Sequence, residues 1–143
     1  MHVEQISIFL ENKSGRMAEV CQILADAGVN IRALSLADTS DFGVLRLIVD
    51  KSPEAGTALR KNGFTVRLSQ VTAVKVADKP GGLLEILNVF NEAGINIEYM
   101  YAYANPAGGT AIMVFRLEPL DKATELLTEK GFTLLSIEDL SGL

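Results

Sequence analysis

The feature that most constrains the fold is a loop-and-helix pattern that occurs twice in a chain of 143 residues. The first copy starts at residues 12–17 (NKSGRM) and ends at residues 28–31 (GVNI). The second starts at residues 78–83 (DKPGGL) and ends at residues 94–97 (GINI). Such a repeat indicates two copies of one supersecondary unit, so a ligand site at one loop has a counterpart at the other.

Composition is that of a globular protein and argues against several functions. A hydrophobic content of 48% is enough for a packed core. No apolar run reaches the roughly 18 residues of a membrane span, and the N-terminus lacks the basic and apolar regions of a signal peptide. We therefore expect a cytoplasmic protein without membrane contact. A net charge of -5 and a pI near 4.9 argue against nucleic acid as a partner.

Histidine and cysteine, which many catalytic and metal sites require, occur once each in the chain. One cysteine, Cys21, excludes an internal disulfide and a cysteine-built zinc site, and its helical spacing predicts a core position. The single histidine, His2, leaves no set of serine, histidine and acid to assemble. Neither G-x-G-x-x-G nor a Walker pattern is present. We expect no catalytic residues, no metal and no cofactor, and hence a protein that is not an enzyme.

Hydrophobic periodicity predicts the elements of each copy. In the first copy, strands are predicted at 5–11, 31–37, 44–50 and 64–68. Helices are predicted from residue 16 to the stop at Gly28 and from Ser52, as N-cap, to the stop at Gly63. In the second copy, strands are predicted at 71–77, 97–104, 111–117 and 132–136, with helices at 83–93 and 121–130.

The order strand, helix, strand, strand, helix, strand is the ferredoxin-like plan. The predicted fold class is therefore α+β, with two ferredoxin-like βαββαβ domains at residues 1–70 and 71–143. Each would have an antiparallel sheet with its helices on one face. Because units of about 70 residues are marginal alone, we expect the two to pack together.

Two strands of the second copy carry unusual apolar patterns. Residues 111–115 (AIMVF) are apolar without alternation, which predicts cover on both faces of the strand. Tyr99, Tyr101 and Tyr103 recur at every second residue and so share one face of their strand. Packing at an interface and contact with a ligand both remain open for this tyrosine stripe.

The loop before the first helix of each copy is the candidate binding element. Its glycine lets the backbone approach a ligand, and the free N–H groups of the next helical turn attract an anion such as a carboxylate. Asn12 precedes this helix and Asn30 follows it, so the two lie at opposite ends of the layer. Within one copy they should not touch.

The pattern from Asn12 through Asn30 resembles the ACT domain, the regulatory amino-acid-binding module of biosynthetic enzymes. The most specific segment is residues 30–43 (NIRALSLADTSDFG), and the whole chain resembles the stand-alone tandem ACT proteins of bacteria. In the serine-inhibited phosphoglycerate dehydrogenases of that family, the two matching asparagines hold the effector from opposite sides of a domain interface. The resemblance thus implies a pocket between paired domains.

The resemblance also implies which residues bind the ligand. In the first copy these are Asn12, Ser14, Gly15, Arg16, Met17, Asn30, Ile31 and Asp38. In the second copy they are Asp78, Gly81, Gly82, Leu83, Asn96 and Ile97. Two positions depart from the family: Ser14 replaces the usual proline, and Asp78 replaces asparagine, favouring a ligand ammonium and repelling a carboxylate. The asparagines have a structural alternative, since Asn in a loop often only caps or turns the chain.

The resemblance implies a non-catalytic regulator that binds an amino acid between paired domains, forms a homo-oligomer, in the simplest case a dimer, and signals to a partner through its change of state. The alternative is an interaction subunit whose apolar sheet face docks on a metabolic enzyme without a ligand. RNA binding shares the same element order. Its stacking aromatics should stand on strands one and three, where this chain offers mostly aliphatic residues and an acidic balance.

Overall fold

The chain divides into two compact units. The first comprises Glu4–Ser69, and the second comprises Met1–Val3 with Gln70–Leu143. The computed structural model describes residues 2–11, 13–38, 41–104 and 109–142, with the side chains of Asp38, Tyr103 and Ala104 also left undescribed. The predicted site residue Asn12 therefore lies outside the described residues, as do the side chain of Asp38 and that of Tyr103 in the tyrosine stripe.

The first unit is one antiparallel sheet with two helices. Its strands and helices are β1 (Val3–Glu11), α1 (Arg16–Asp26), β2 (Ile31–Asp38), β3 (Phe42–Val49), α2 (Ser52–Lys61) and β4 (Thr65–Ala77). The strand order is β2-β3-β1-β4. Residues 65–69 of β4 belong to this unit and residues 70–77 to the second.

The second unit repeats this arrangement. After β4 come α3 (Gly82–Ala93), β5 (Asn96–Ala104), β6 (Thr110–Glu118), α4 (Leu120–Glu129), β7 (Leu134–Leu135) and α5 (Ile137–Ser141). Its strand order is β5-β6-β4-β7, which matches the order of the first unit strand for strand. The prediction of two ferredoxin-like domains is confirmed.

Each unit has its own apolar core between the sheet and its helices. In the first, alternate residues of β1 and β3 pack against Val20 and Leu24 of α1 and against Leu59 of α2. In the second, β4 and β6 pack in the same way against Phe90 of α3 and Leu127 of α4. Because one set of alternate side chains meets both helices, the helices lie on one face of each sheet, as predicted.

Strand β6 is buried on both faces along most of its length. Ile112, Met113, Val114 and Phe115 are all buried. Met113 and Phe115 belong to the core under the helices, whereas Ile112 and Val114 point to the other face. The cover predicted from the lack of alternation is therefore present. Tyr101, which lies beside Val114 in the sheet register, is half-buried on that second face.

Several details differ from the sequence-based expectations. Helix α2 has Lys51 as its N-cap residue without a side-chain cap, and the Ser52 hydroxyl instead donates to Glu4 Oε1 (2.5 Å). The strands predicted at 64–68 and 71–77 form one strand, and the last predicted strand is shortened to β7 and followed by α5. Cys21 is half-buried rather than a full core residue. No helix among the described residues is long and apolar enough to cross a membrane.

Candidate ligand-binding site

The first loop is a tight turn that leads directly into α1. The N–H of Arg16 donates to the carbonyl of Lys13 (3.4 Å), and Gly15 between them has φ 87°, a left-handed conformation that favours glycine. The Gly15 carbonyl accepts from the N–H of Glu19 (3.0 Å), the first hydrogen bond of the helix. Ser14 is exposed at the tip of this turn.

The start of α1 presents backbone donors to the outside. The N–H groups of Met17 and Ala18 lie in the first helical turn of α1, where backbone donors have no acceptor within the helix itself. Gly15, the N-cap residue, has no side chain to cap them. Together with the positive end of the helix dipole, these two donors form a place where a carboxylate can bind.

The second loop forms the same turn, but the backbone of Ala77 fills the space beside its helix start. Gly81 has φ 83°, and the N–H of Gly82 donates to the carbonyl of Lys79 (3.0 Å). A Cβ atom at Gly82 would lie 1.9 Å from the carbonyl oxygen of Ala77, so only glycine fits there. The N–H of Asp78 donates to the Gly109 carbonyl (3.0 Å), which attaches this loop to the start of β6. Leu83 remains partly exposed beside it.

Four charged side chains surround the first loop. Glu11 Oε2 lies 2.8 Å from Lys13 Nζ, and Glu11 Oε1 lies 3.4 Å from Arg16 Nη2. Arg16 Nη1 also donates to Glu19 Oε2 (3.1 Å). The hydrogen bond and the charge of Lys13, followed by the charge of Arg16, hold the pKa of Glu11 below its ordinary value of 4.5. The loop therefore offers both a carboxylate and a guanidinium to a zwitterionic ligand.

Three of these four residues, Glu11, Lys13 and Glu19, are not among the site residues predicted from the sequence. Glu11 and Lys13 flank Asn12 directly. The signal was the placement of a carboxylate at the last residue of a strand, one step before the loop. Arg16, which was predicted, proves to be the residue that connects Glu11 to the helix.

Asn30 lies at the opposite end of the first unit from this loop. In the sheet register, Glu11 is beside Phe42 at the loop end, whereas Ile31 is beside Val49 at the other end. The 11 residues of α1 span about 16 Å between them. Within the first unit, the described residues of the first loop and Asn30 therefore lie at opposite ends of the layer.

Asp50 fixes the backbone of Asn30. Its Oδ1 accepts from the N–H of Asn30 (2.9 Å), and its own N–H donates to the Asn30 carbonyl (3.1 Å). Lys51 Nζ donates to the carbonyl of Gly28 (3.3 Å) at the same end. Asn30 itself is exposed, as is Asn96 at the corresponding position.

The remaining predicted residues divide between the core and the loop end. Ile31 and Ile97 pack against the two cores and so stabilise the fold as well. Asp38 pairs with Gly43, which in turn pairs with Leu10, so the backbone of Asp38 is at the loop end of the sheet. The structure thus brings Asp38 close to the first loop and keeps Asn30 away from it.

A small pocket, here called the loop pocket, lies beside the first turn. Its volume is about 90 Å³, and it is lined by Leu10, Glu11, Lys13, Arg16, Met17, Leu36 and Gly43. Drug-sized ligands usually occupy pockets of about 300 Å³ or more. The loop pocket therefore offers one wall of a binding site rather than a complete enclosure. Among the described residues, no group of three or more His, Cys, Asp and Glu side chains could hold a metal ion.

Comparisons with known proteins agree with this architecture. A family profile described as an ACT domain pair matches residues 1–143. The chain is 42% identical to protein BT0572 from Bacteroides thetaiotaomicron, whose crystal structure superposes with a TM-score of 0.94 over 100% of this chain and 98% of that one. A search of curated proteins finds no match.

Two further structures share the fold at lower identity. The regulatory subunit of aspartate kinase from Thermus thermophilus, in a ligand-free form, is 18% identical with a TM-score of 0.67, covering 90% of this chain and 91% of that one. The same subunit from Thermus flavus is 19% identical with a TM-score of 0.64, covering 88% and 90%.

Proposed function

The chain belongs to the family of ACT domain pairs, and on that premise we propose that it is a non-catalytic regulator that binds an amino acid. The observation that carries the proposal is the first loop, where the N–H groups of Met17 and Ala18, which have no acceptor within α1, stand beside Arg16 and Glu11. A carboxylate fits the backbone donors and an ammonium fits side-chain oxygens. The shared fold with regulatory subunits of aspartate kinase supports a regulatory role.

The ligand would lie between paired ACT domains. Asn12, Ser14, Gly15, Arg16, Met17 and Asp38 would form one side, and Asn30 with Ile31 of another domain would form the other. The small volume of the loop pocket supports this arrangement, because a second surface is needed to enclose the ligand. The second copy, with Asp78, Gly81, Gly82, Leu83, Asn96 and Ile97, would provide a corresponding but tighter site.

A second copy of the chain would supply the missing surface. Leu36 lines the loop pocket and is 52% exposed, and Leu34 beside it on β2 is 50% exposed. Strand β2 ends the strand order of the first unit. A surface that covers Leu36 would therefore also close the loop pocket. We expect a homodimer whose stability depends on the ligand, because a ligand acts by binding one state more tightly than another.

Calorimetry against the twenty amino acids tests the proposal. We expect at least one to bind, and the double variant Asn12→Ala with Asn30→Ala to lose most of that binding. Asn88→Ala, an exposed position on α3, is the matched control and should bind as the unmodified protein does. If none of the twenty amino acids binds, or if the double variant binds as tightly as the unmodified protein, the proposal is contradicted.

The second candidate function is a subunit that docks on a metabolic enzyme without any ligand. The exposed leucines of β2 favour it, since large exposed apolar side chains in a contiguous patch mark interaction surfaces. A stoichiometric enzyme recovered from native extract, in equal amount with and without amino acids, would support this function. If adding one amino acid releases that enzyme from the protein, the result would instead support the amino-acid-binding regulator.

A further inference from the structure

Three phenylalanine rings stand at the loop end of the first unit around a second pocket, here called the aromatic pocket. It has a volume of about 220 Å³ and is lined by Phe9, Phe42 and Phe64, by Glu11 and Arg16, and by the turn after α2. Phe42 is 57% exposed and Phe9 is 40% exposed. Such exposure leaves apolar ring surface in water, which is unfavourable unless something else covers it.

The sheet register places the polar and aromatic groups together. Phe9 and Glu11 alternate with the core residue Leu10 on β1, so both point away from the helices. Phe42 is the cross-strand neighbour of Glu11 and therefore shares that face. Phe64 packs partly against the core and closes the pocket from the turn after α2.

The second unit shows that the fold does not require Phe9, Glu11 or Phe42. Phe64, by contrast, has a counterpart in Phe132, which also packs partly against its core. Glu11 pairs with Phe42 in the first sheet, and at the corresponding point of the second sheet Ala77 pairs with Thr110. Lys75 stands where the first unit has Phe9. Two units with one topology thus differ at each of these positions, and only the first has exposed rings and a carboxylate there.

The helix start differs in the same way. Arg16 reaches Glu11 in the first unit, with Nη2 3.4 Å from Oε1. At the corresponding position, Gly82 has no space even for a Cβ atom. The aromatic pocket and its ion pair are therefore features that the first unit has in addition to its fold, which points to a ligand.

We propose that the aromatic pocket binds the side chain of an amino acid with a large apolar or aromatic side chain, with the ligand carboxylate on Arg16 at the start of α1 and its ammonium on Glu11. Both charged residues also line the loop pocket, so the two pockets share the charged part of the site. This inference rests on the proposed amino-acid binding and specifies the class of ligand. The ring surfaces of Phe9, Phe42 and Phe64 cover the ligand side chain. The guanidinium group binds a carboxylate with paired hydrogen bonds.

The ammonium group of the ligand would have to replace Lys13 as the partner of Glu11. Its Nζ lies 2.8 Å from Glu11 Oε2, but the Lys13 side chain is 67% exposed. An exposed ion pair of this kind is worth little, so a ligand ammonium can replace Lys13 at Glu11 at small cost. The long contact of 3.4 Å between Glu11 and Arg16 is likewise one that a ligand carboxylate can displace.

The test is calorimetry on the full chain with phenylalanine, leucine, serine and aspartate. We expect phenylalanine or leucine to bind at least about tenfold more tightly than serine or aspartate, because only they bury apolar surface on the rings. Phe42→Ala should weaken that binding about tenfold, and Arg16→Gln should weaken it by at least as much.

Leu68→Ala is the matched control. Leu68 lies on β4 of the same unit, is 38% exposed and does not line either pocket of the first unit described above. Its variant should bind as the unmodified protein does, and the circular dichroism spectra of all variants should coincide, because the substituted side chains are at least partly exposed. Equal weakening by Leu68→Ala and Phe42→Ala would overturn the assignment of the pocket.

Two other outcomes separate this inference from the proposed function. If an amino acid binds and Asn30→Ala abolishes binding while Phe42→Ala has no effect, the amino-acid sensor stands and the aromatic pocket is overturned as its site. If none of the amino acids binds, the proposed function fails and this inference fails with it. Preferential binding of adenosine monophosphate, whose base can also stack on phenylalanine, would overturn the ligand class.

Discussion

The carbonyl oxygen of Ala77 lies only 1.9 Å from the position that a Cβ atom of residue 82 would occupy, so Gly82 packs directly against the end of β4. In the first unit, the corresponding residue is Arg16, whose side chain extends to Glu11. The two loops form the same turn, but only the first has room for a side chain at the first residue of the helix.

Gly82→Ala should destabilise the protein much more than Gly15→Ala. At Gly82 the added methyl group meets backbone and forces the start of α3 to move, which costs about 3 kcal/mol. At Gly15 no atom lies within 4 Å of the added Cβ, and only the left-handed backbone at φ 87° opposes the change, at about 1 kcal/mol. Urea unfolding of both variants measures the difference. Equal losses would show that the contact with Ala77 does not limit residue 82.

Phe90→Ala should lower the free energy of unfolding by about 3 to 5 kcal/mol. Phe90 is buried in the second core, and its ring packs edge-to-face on Phe115 with centroids 5.2 Å apart and planes at 79°. Leu84→Ala on the same helix is the control, since Leu84 is 57% exposed and its loss should change stability by less than about 0.5 kcal/mol. A comparable loss at both positions would contradict the core assignment.

The pKa of Glu11 should rise when Lys13 is replaced by Gln. The hydrogen bond and charge of Lys13 are the main causes that hold this pKa below 4.5, with Arg16 contributing less. Because the folded-state pKa is lowered, the stabilisation is present above the unfolded value and is lost as pH falls through the folded value. Carboxyl carbon chemical shifts followed by NMR below pH 5 report the pKa directly. An unchanged pKa in Lys13→Gln, with a shift in Arg16→Gln, would reverse the order of the two causes.

Asp50→Ala should destabilise the Asn30 end of the first unit by about 1 kcal/mol. The carboxylate accepts from the N–H of Asn30 (2.9 Å), and without it that donor relies on water. Asp50→Asn keeps a side-chain oxygen acceptor and should retain most of the stability. Hydrogen exchange at the Asn30 amide resolves the local effect: exchange should be faster in the Ala variant and near normal in the Asn variant. Equal exchange in both variants would exclude the side-chain acceptor as the cause.

The fold could be predicted from sequence because its signals are local. Apolar spacing and the terminal glycines predict the first residues of α1 and α3 to within one residue of those in the structure. The junction of the two units was harder, because the apolar pattern predicts separate strands at 64–68 and 71–77, whereas the chain runs on through Ser69 and Gln70 as one strand. Helix α5 was missed, although Ser136 and Asp139 form a capping box whose spacing is a recognised helix-start signal.

The candidate site was predicted less completely because its parts are distant in sequence. Phe9 was visible only as an exception to the alternation of β1, and Phe42 followed a turn. Their proximity to Phe64 depends on strand register and on the turn after α2, which no periodicity encodes. Glu11 was missed for a different reason: its function depends on Arg16, five residues later, folding back at the start of α1.

The closed position at Gly82 also restricts which side chains the second loop can carry. An arginine at position 82 would not by itself reproduce the ion pair of the first loop, because its Cβ atom would lie 1.9 Å from the carbonyl oxygen of Ala77. The backbone at the start of α3 would first have to move away from the end of β4. The second loop therefore cannot be converted into a copy of the first by exchanging side chains alone.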